Sequence, residues 1–245
     1  MFDKANIIIP CAGASNRFKD AGYQINKPFL PMGGQSMIAS VCSNLYHPNL
    51  TFYFVTNKQN TDIDKLFEEI KSVLKDSVFH MISVEALTQG PACSCLLAKD
   101  LINNETPLFI TNCDQIIEDL NYEEFYEYAK FHDSDGILGA FHSRSPKNSY
   151  MRVNDNNEVI EVKEKSVISD LATNGFHFWK QGKFFVESAE QMIANNDTVN
   201  GEYYVSTSYS YMLKNSMKVN PYYFNMHFPI GIPEDYENYL RWRNL

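Results

Sequence analysis

The chain has 245 residues, 44% of them hydrophobic and 14% aromatic, enough to bury one large core and more in keeping with one α/β domain than two. A net charge of −9 argues against a nucleic-acid or anionic-membrane partner, because both require a basic face. No stretch approaches the ~18 apolar residues of a membrane span, and Asp3 and Lys4 precede only a short apolar run where a signal peptide would lie.

The first strand is expected over residues 5–10, where Ile7, Ile8 and Ile9 are β-branched and apolar without alternation, as a strand covered on both faces requires. Apolar periodicity then predicts a helix at 36–46, a strand at 51–56, a helix at 60–75, a strand at 78–84, a helix at 91–103, a strand at 107–112 and a helix at 121–132. Strands follow at 135–143, 150–153, 158–164 and 171–179, then helices at 182–195 and 202–214, a strand at 217–228 and a helix at 233–243. Alternation in the first half implies right-handed crossovers and a largely parallel sheet, while the run of strands in the second half implies an antiparallel addition. Asn154-Asp155-Asn156-Asn157 reads as a turn between strands, and no repeat, low-complexity tract or Pro/Gly-rich linker divides the chain. The expectation is one domain over 1–245, a three-layer α/β/α, Rossmann-like unit with a mixed, mainly parallel sheet.

Cys11, Cys42, Cys93, Cys95 and Cys113 include no C-x-x-C pair, so neither a structural zinc nor a redox dithiol is indicated, and a cytoplasmic location is expected. Cys93-Ser94-Cys95 could be a metal half-site, but thiols at these helical positions point to different faces and suit burial better.

Ligands in open α/β sheets sit beyond the carboxyl ends of the strands, so the residues that follow each strand matter most. After the first strand come Ala12, Gly13, Ala14, Ser15 and Asn16, small residues whose backbone N–H groups can approach an anion, and then Arg17 and Lys27-Pro28. Two cations at such a loop suit a polyphosphate. After the strand at 78–84 come Thr88, Gln89 and Gly90, with Pro91 opening a helix, which by themselves also suit an ordinary cap and turn. After the strand at 107–112, Asn112 and Asp114 follow an apolar run, and a carboxylate there needs a partner or a metal.

The first loop resembles the signature loop of the nucleotidyltransferases that make sugar nucleotides, the pyrophosphorylases, whose usual form is Ala/Gly-Gly-x-Gly-Thr/Ser-Arg followed by Pro-Lys-Pro. Here Ser15 stands at the second glycine, Asn16 at the Thr/Ser and Asn26 before Lys27. The resemblance implies the nucleotide-diphospho-sugar transferase fold, with a nucleotide half over about 1–134 and an acceptor half over about 135–245. It implies phosphate contacts from Ala12, Gly13, Ala14, Ser15 and Asn16, catalytic charge from Arg17 and Lys27, and base and ribose contacts at Thr88, Gln89 and Gly90, with Asn112 beside them. Asp114 matches the family's Mg²⁺-binding Asp. On the acceptor side Glu164 and Lys165 resemble the Glu-Lys motif, Asn174 and Gly175 the Asn-x-Gly segment, and Glu202 and Tyr203 the Glu-Tyr before a late helix. The family's second metal carboxylate, in an Asp-Ile/Thr-Gly-Thr-Pro segment, is replaced by Pro229, and Glu234 and Asp235 are expected only to complement a helix dipole.

The implied reaction joins an NTP to a phosphorylated acceptor, a sugar 1-phosphate in the family, and releases pyrophosphate, with Mg²⁺ as cofactor. The implied partners are these small molecules, with no nucleic acid, no membrane and a homo-oligomer left open. Three alternatives remain at this point: an isoprenoid-type or phosphocholine-type cytidylyltransferase, a metal-dependent glycosyltransferase, and a catalytically degenerate nucleotide-binding paralogue.

Overall fold

The computed structural model describes residues 4–245. Its sheet contains nine strands, and the path across it runs 159–163, 149–153, 171–179, 108–110, 5–11, 50–57, 79–84. Strand Ala5–Cys11 lies between Leu50–Asn57 and Leu108–Ile110 and is parallel to both, and Phe79–Val84 extends the parallel side. The long strand Leu171–Trp179 is antiparallel to Leu108–Ile110, Ser149–Val153 and Gly136–His142. Strand Val219–Tyr223 then adds parallel to Gly136–His142. The parallel first half and the antiparallel insertion both follow the expected pattern.

The burial of Ile7, Ile8 and Ile9 explains the three layers. All three are fully buried, yet Ile7 and Ile9 belong to one apolar cluster and Ile8 to the other, because successive strand residues face opposite sides. On the Ile7 and Ile9 side, helices Met37–Leu45, Ile63–Val73 and Tyr122–Phe131 contribute Val41, Leu66 and Phe125. On the Ile8 side, helices Pro91–Leu96, Gly182–Ala194 and Val205–Lys214 contribute Cys95, Phe185 and Tyr209. Side-chain capping marks three starts: Ser36 accepts from Ala39, Asp62 from Lys65 and Asn121 from Glu123 and Glu124.

Several elements differ from the sequence reading. The helix expected at 91–103 is two, Pro91–Leu96 and Lys99–Ile102, and the helix expected at 202–214 begins at Val205. The strand expected at 217–228 breaks after Tyr223, and His227–Pro229 pairs instead with Gln115–Ile117, a strand too short to show any period. Asn16–Asp20 is a helix of five residues, also below the length at which periodicity can be read. Within Leu171–Trp179 the pairing with Gly136–His142 shifts between Thr173 and His177, and Gly175 takes φ 82°. Such an irregularity re-aims side chains, and this one lies at the cleft described below.

Phe125 joins the helical layer to the sheet, with its ring 5.6 Å from Phe109, 5.5 Å from Phe178 and 4.8 Å from Tyr222. Phe125→Ala should therefore cost about 3–5 kcal/mol of stability, the range for deleting a buried aromatic side chain. Urea unfolding measures it, and a loss below about 1 kcal/mol would show that this contact does not hold the layers together.

Candidate active site

The carboxyl ends of Ala5–Cys11 and Leu108–Ile110 open on a cleft of about 1080 Å³, ample for a nucleotide and a second small molecule. Its walls include Arg17, Asn112, Asp114, Glu164, Lys165, Asn174 and Gly175, which come from both halves of the chain.

The first loop is shaped by Ser15, whose φ of 56° and ψ of 27° place it in the left-handed region. A glycine adopts that conformation freely and a serine at a cost of about 1 kcal/mol, which accounts for the glycine usual there in the resembling family. Ser15 carbonyl oxygen accepts from Phe18 N at 3.1 Å and begins the short helix. Phe18, 1% exposed, anchors that helix edge-on against Tyr23 and Tyr236, which leaves Arg17 exposed on the cleft wall. No carboxylate among the described residues forms an ion pair with Arg17. The Ala12 carbonyl accepts from Asn60 Nδ2, and a Cβ at Gly13 would meet only open space.

Lys27 begins a single 3-10 turn whose Pro28 and Phe29 are buried. Its Nζ donates to Asp114 Oδ2 at 2.6 Å, and the two side chains are 15% and 27% exposed. Burial alone would lower the lysine's pKa, but the Asp114 charge and hydrogen bond outweigh it and raise Lys27 above its ordinary value. Asp114 is boxed in from the other side. Its backbone oxygen accepts from Ile230 N at 2.9 Å, and a Cβ at Gly231 would lie 2.6 Å from Oδ2. Pro229, at the position where the resemblance implies a second carboxylate, pairs with Gln115, the residue after Asp114. Glu234 and Asp235 occupy the first turn of helix Pro233–Arg243, where they complement its dipole, and they also line the cleft. The thiols of Cys11 and Cys113 meet beneath the pair; the hydrogen bond from Cys11, with help from the Lys27 charge, lowers the pKa of Cys113. Among the described residues no group of three or more His, Cys, Asp or Glu is placed to hold a metal.

Thr88 hydroxyl donates to Gly90 O at 3.0 Å, so its side chain serves the turn. Gly90 has φ 117°, and a Cβ there would strike Tyr203 O at 2.6 Å, so only glycine fits. Gln89 is exposed, and its carbonyl accepts from Tyr203 N at 2.8 Å. Tyr203 itself is 5% exposed and its hydroxyl donates to Asn196, so its backbone supports the Gln89-Gly90 turn while the next residue, Tyr204, lines the cleft. Asn112 lies against Gly175, where a Cβ would be 2.3 Å from its Nδ2.

Glu164 accepts from Ser206 Oγ at 2.6 Å and from Ser149 Oγ, both on the cleft wall. Lys165 takes φ 52° and turns away from Glu164; its Nζ lies 4.3 Å from the centre of the Tyr204 ring and donates to the Tyr204 hydroxyl. That hydroxyl in turn donates to Glu202. Asn174 Oδ1 accepts from Phe176 N at 3.0 Å, and Gly139 leaves room for it: a Cβ there would be 2.3 Å away.

Other cleft residues carry no sequence signal of their own. Ser149 and Ser206 are ordinary in sequence and acquire a role only by meeting at Glu164. His177 sits in a strand of apolar neighbours, which is the only cue to its burial. It is 6% exposed, lies against Trp179 and Tyr209, and its Nδ1 has no hydrogen-bond partner.

Burial lowers His177 to about 3 and His227 to about 4, below the ~6.5 of an unfolded histidine. Because the folded pKa is depressed, the stability held by these neutral rings is complete above about pH 6.5 and is lost as pH falls from there toward the folded values. Each ring steepens the loss by up to ~1.4 kcal/mol per pH unit across that window. His177→Gln should therefore lose less stability than the wild type between pH 6.5 and pH 4. Parallel urea-stability curves for the two proteins across this range would mean that His177 is protonated in the fold.

The model of the nucleotidyl transferase family matches residues 6–218. No curated protein sequence matches the chain. Among solved structures, a nucleoside-diphosphate-sugar pyrophosphorylase from Vibrio cholerae RC9 superposes with a TM-score of 0.84 at 22% identity, covering 96% of this chain and 99% of that one. A putative glucose-1-phosphate thymidylyltransferase from Bacillus anthracis, solved with a sucrose, gives a TM-score of 0.78 at 18% identity, with 96% and 93% covered. The inositol-1-phosphate CTP transferase from T. maritima gives 0.73 at 15% identity, with 96% and 92% covered. Each likeness is one of fold, and it is the family match over most of the length, on a chain with this cleft, that makes the protein a nucleotidyltransferase, a member of the nucleotidyl transferase family.

Proposed function

We propose that the protein transfers a nucleotidyl group from an NTP to a phosphorylated acceptor, a sugar 1-phosphate, and releases pyrophosphate. The observation that carries this reading is the convergence of Arg17 and Asp114 from the first half with Glu164 and Lys165 from the second on one cleft. Residues 1–245 would act as one domain in the cytoplasm, with the nucleotide on the side of 1–134 and the acceptor on the side of 135–245.

The acceptor phosphate is already ionised at neutral pH, so its oxygen can attack the α-phosphorus without a general base, and the protein's task is alignment and charge. Arg17, which has no carboxylate partner among the described residues, would hold the departing β- and γ-phosphates, with the backbone of Ala12, Gly13, Ala14, Ser15 and Asn16 around them. Lys27 would meet the α-phosphate or the acceptor phosphate, its proton secured by Asp114. Gln89, Gly90 and Asn112 would face the base and ribose. Glu164, whose Oε2 is held by two serines, would accept acceptor hydroxyls, with Asn174, Gly175 and Glu202 around the ring and Lys165 toward the phosphate.

Asp114, with no group of three or more His, Cys, Asp or Glu gathered to hold a metal among the described residues, fits Mg²⁺ that keeps waters and phosphate oxygens, and does not fit a metal held by protein alone. Asp114 would hold the ion, which when bound would neutralise charge on the phosphates.

Pyrophosphate release from each NTP, with hexose 1-phosphates, inositol 1-phosphate and phosphocholine as acceptors, tests the reading. Acceptor-dependent release with a hexose 1-phosphate is expected. A preference for phosphocholine would make the protein a cytidylyltransferase of that type, and release of nucleotide or of nothing would overturn nucleotidyl transfer to these acceptors. Arg17→Ala should lower turnover roughly 10²–10³-fold at unchanged thermal midpoint, the scale for losing one charge-stabilising group. Normal turnover would take Arg17 off the phosphates. With Pro229 in place of a carboxylate, Mn²⁺ should bind weakly to the free protein and tightly only with NTP. Tight binding without NTP would bring in Glu234 or Asp235 as a ligand.

A further inference from the structure

Lys27 and Lys165 are held differently. Lys27 is neutralised by a carboxylate at 2.6 Å. Among the described residues no carboxylate forms an ion pair with Lys165: its Nζ sits 4.3 Å from the centre of the Tyr204 ring and donates to the Tyr204 hydroxyl. A phenol and a π-face restrain an ammonium without cancelling its charge, so that charge stays available to an anion. The nearest carboxylate in sequence, Glu164, is directed elsewhere, onto Ser149 and Ser206, and Lys165 holds φ 52°, a left-handed backbone rare for lysine, which separates the two neighbours. Glu202, exposed, accepts from the Tyr204 hydroxyl and fixes the ring's orientation from outside. Tyr204 and Lys165 both line the cleft, and so does Arg17, whose charge also acts on Tyr204.

We propose that Tyr204 is a positioning residue: its ring and hydroxyl, anchored by Glu202, hold the Lys165 ammonium at the acceptor end of the cleft with its charge open to a phosphate monoester. The inference rests on the acceptor role given to Lys165 above. It also gives Glu202 a different task, to anchor Tyr204 from outside the cleft. Tyr204 acts only through Lys165.

Reductive ¹³C-methylation of the whole protein gives each lysine an NMR signal and leaves it charged, and the Lys165 signal is identified by its loss in Lys165→Arg. In the wild type that signal should lie upfield of the exposed lysines through the ring current of Tyr204, and should shift as inorganic phosphate is added. Tyr204→Leu should move it to the exposed-lysine position and weaken the phosphate response roughly tenfold, the scale of one cation–π contact and its hydrogen bond. Tyr204→Phe removes the hydroxyl that meets both Lys165 and Glu202, and should weaken the phosphate response. Should Tyr204→Leu fail to fold, Glu202→Gln serves in its place and should weaken the phosphate response. A wild-type signal among the exposed lysines, or a phosphate response unchanged in Tyr204→Leu, Tyr204→Phe or Glu202→Gln, would overturn the assignment. None of these readouts involves NTP, so their failure leaves nucleotidyl transfer standing, and an absence of nucleotidyl transfer leaves them readable.

Discussion

The Lys27–Asp114 ion pair is the constraint around which the cleft is arranged. It joins a loop that follows the first strand to the end of a strand eighty-seven residues later, at 2.6 Å. Removing one partner of a largely buried pair leaves an uncompensated charge, at a cost of about 3–5 kcal/mol, so the two segments are held together as a unit. The C-terminal segment then closes on the same residue, Ile230 N donating to the Asp114 backbone oxygen and the bare backbone of Gly231 lying against its carboxylate. A side chain at 231 would push Asp114 out of line, so a glycine distant in sequence is needed to place a carboxylate.

The sheet supplies the rigidity behind that arrangement. Ile7, Ile8 and Ile9 have no exposed face, and their strand is clamped by parallel neighbours on both edges. Parallel strands send all their carboxyl ends to one side, so the loops at 12–17 and 112–114 must share a cleft. The long antiparallel strand Leu171–Trp179 crosses the same region. Its irregular pairing between Thr173 and His177 brings Asn174 and Gly175 to the cleft, where a regular strand would alternate them into the two layers.

The acceptor half is polar where it meets the cleft, and two of its charges are separately restrained: Glu164 is held by two serines, and Lys165 by a phenol anchored on Glu202. This division keeps neighbouring opposite charges from cancelling each other, which leaves both able to meet a ligand.

The sequence by itself determined the layers, the parallel first half, the antiparallel insertion and the family, because these follow from local periodicity and from a contiguous loop motif. Arg17 and Asp114 stand out as candidates on the same ground, one after a small-residue run and the other after a buried strand, and Lys27 through the resemblance. Tertiary structure decided what depends on approach between distant segments. Ser149 and Ser206 become a pair only at Glu164, and Cys11 and Cys113 meet only because their strands are neighbours, although no spacing motif links them. Tyr203 and Tyr204 are adjacent and chemically alike, yet one turns into the core and the other onto the cleft. Side-chain direction at the entry to a helix is set by what packs around it, here the backbone of Gly90 against Tyr203, and that contact is not written in either segment alone.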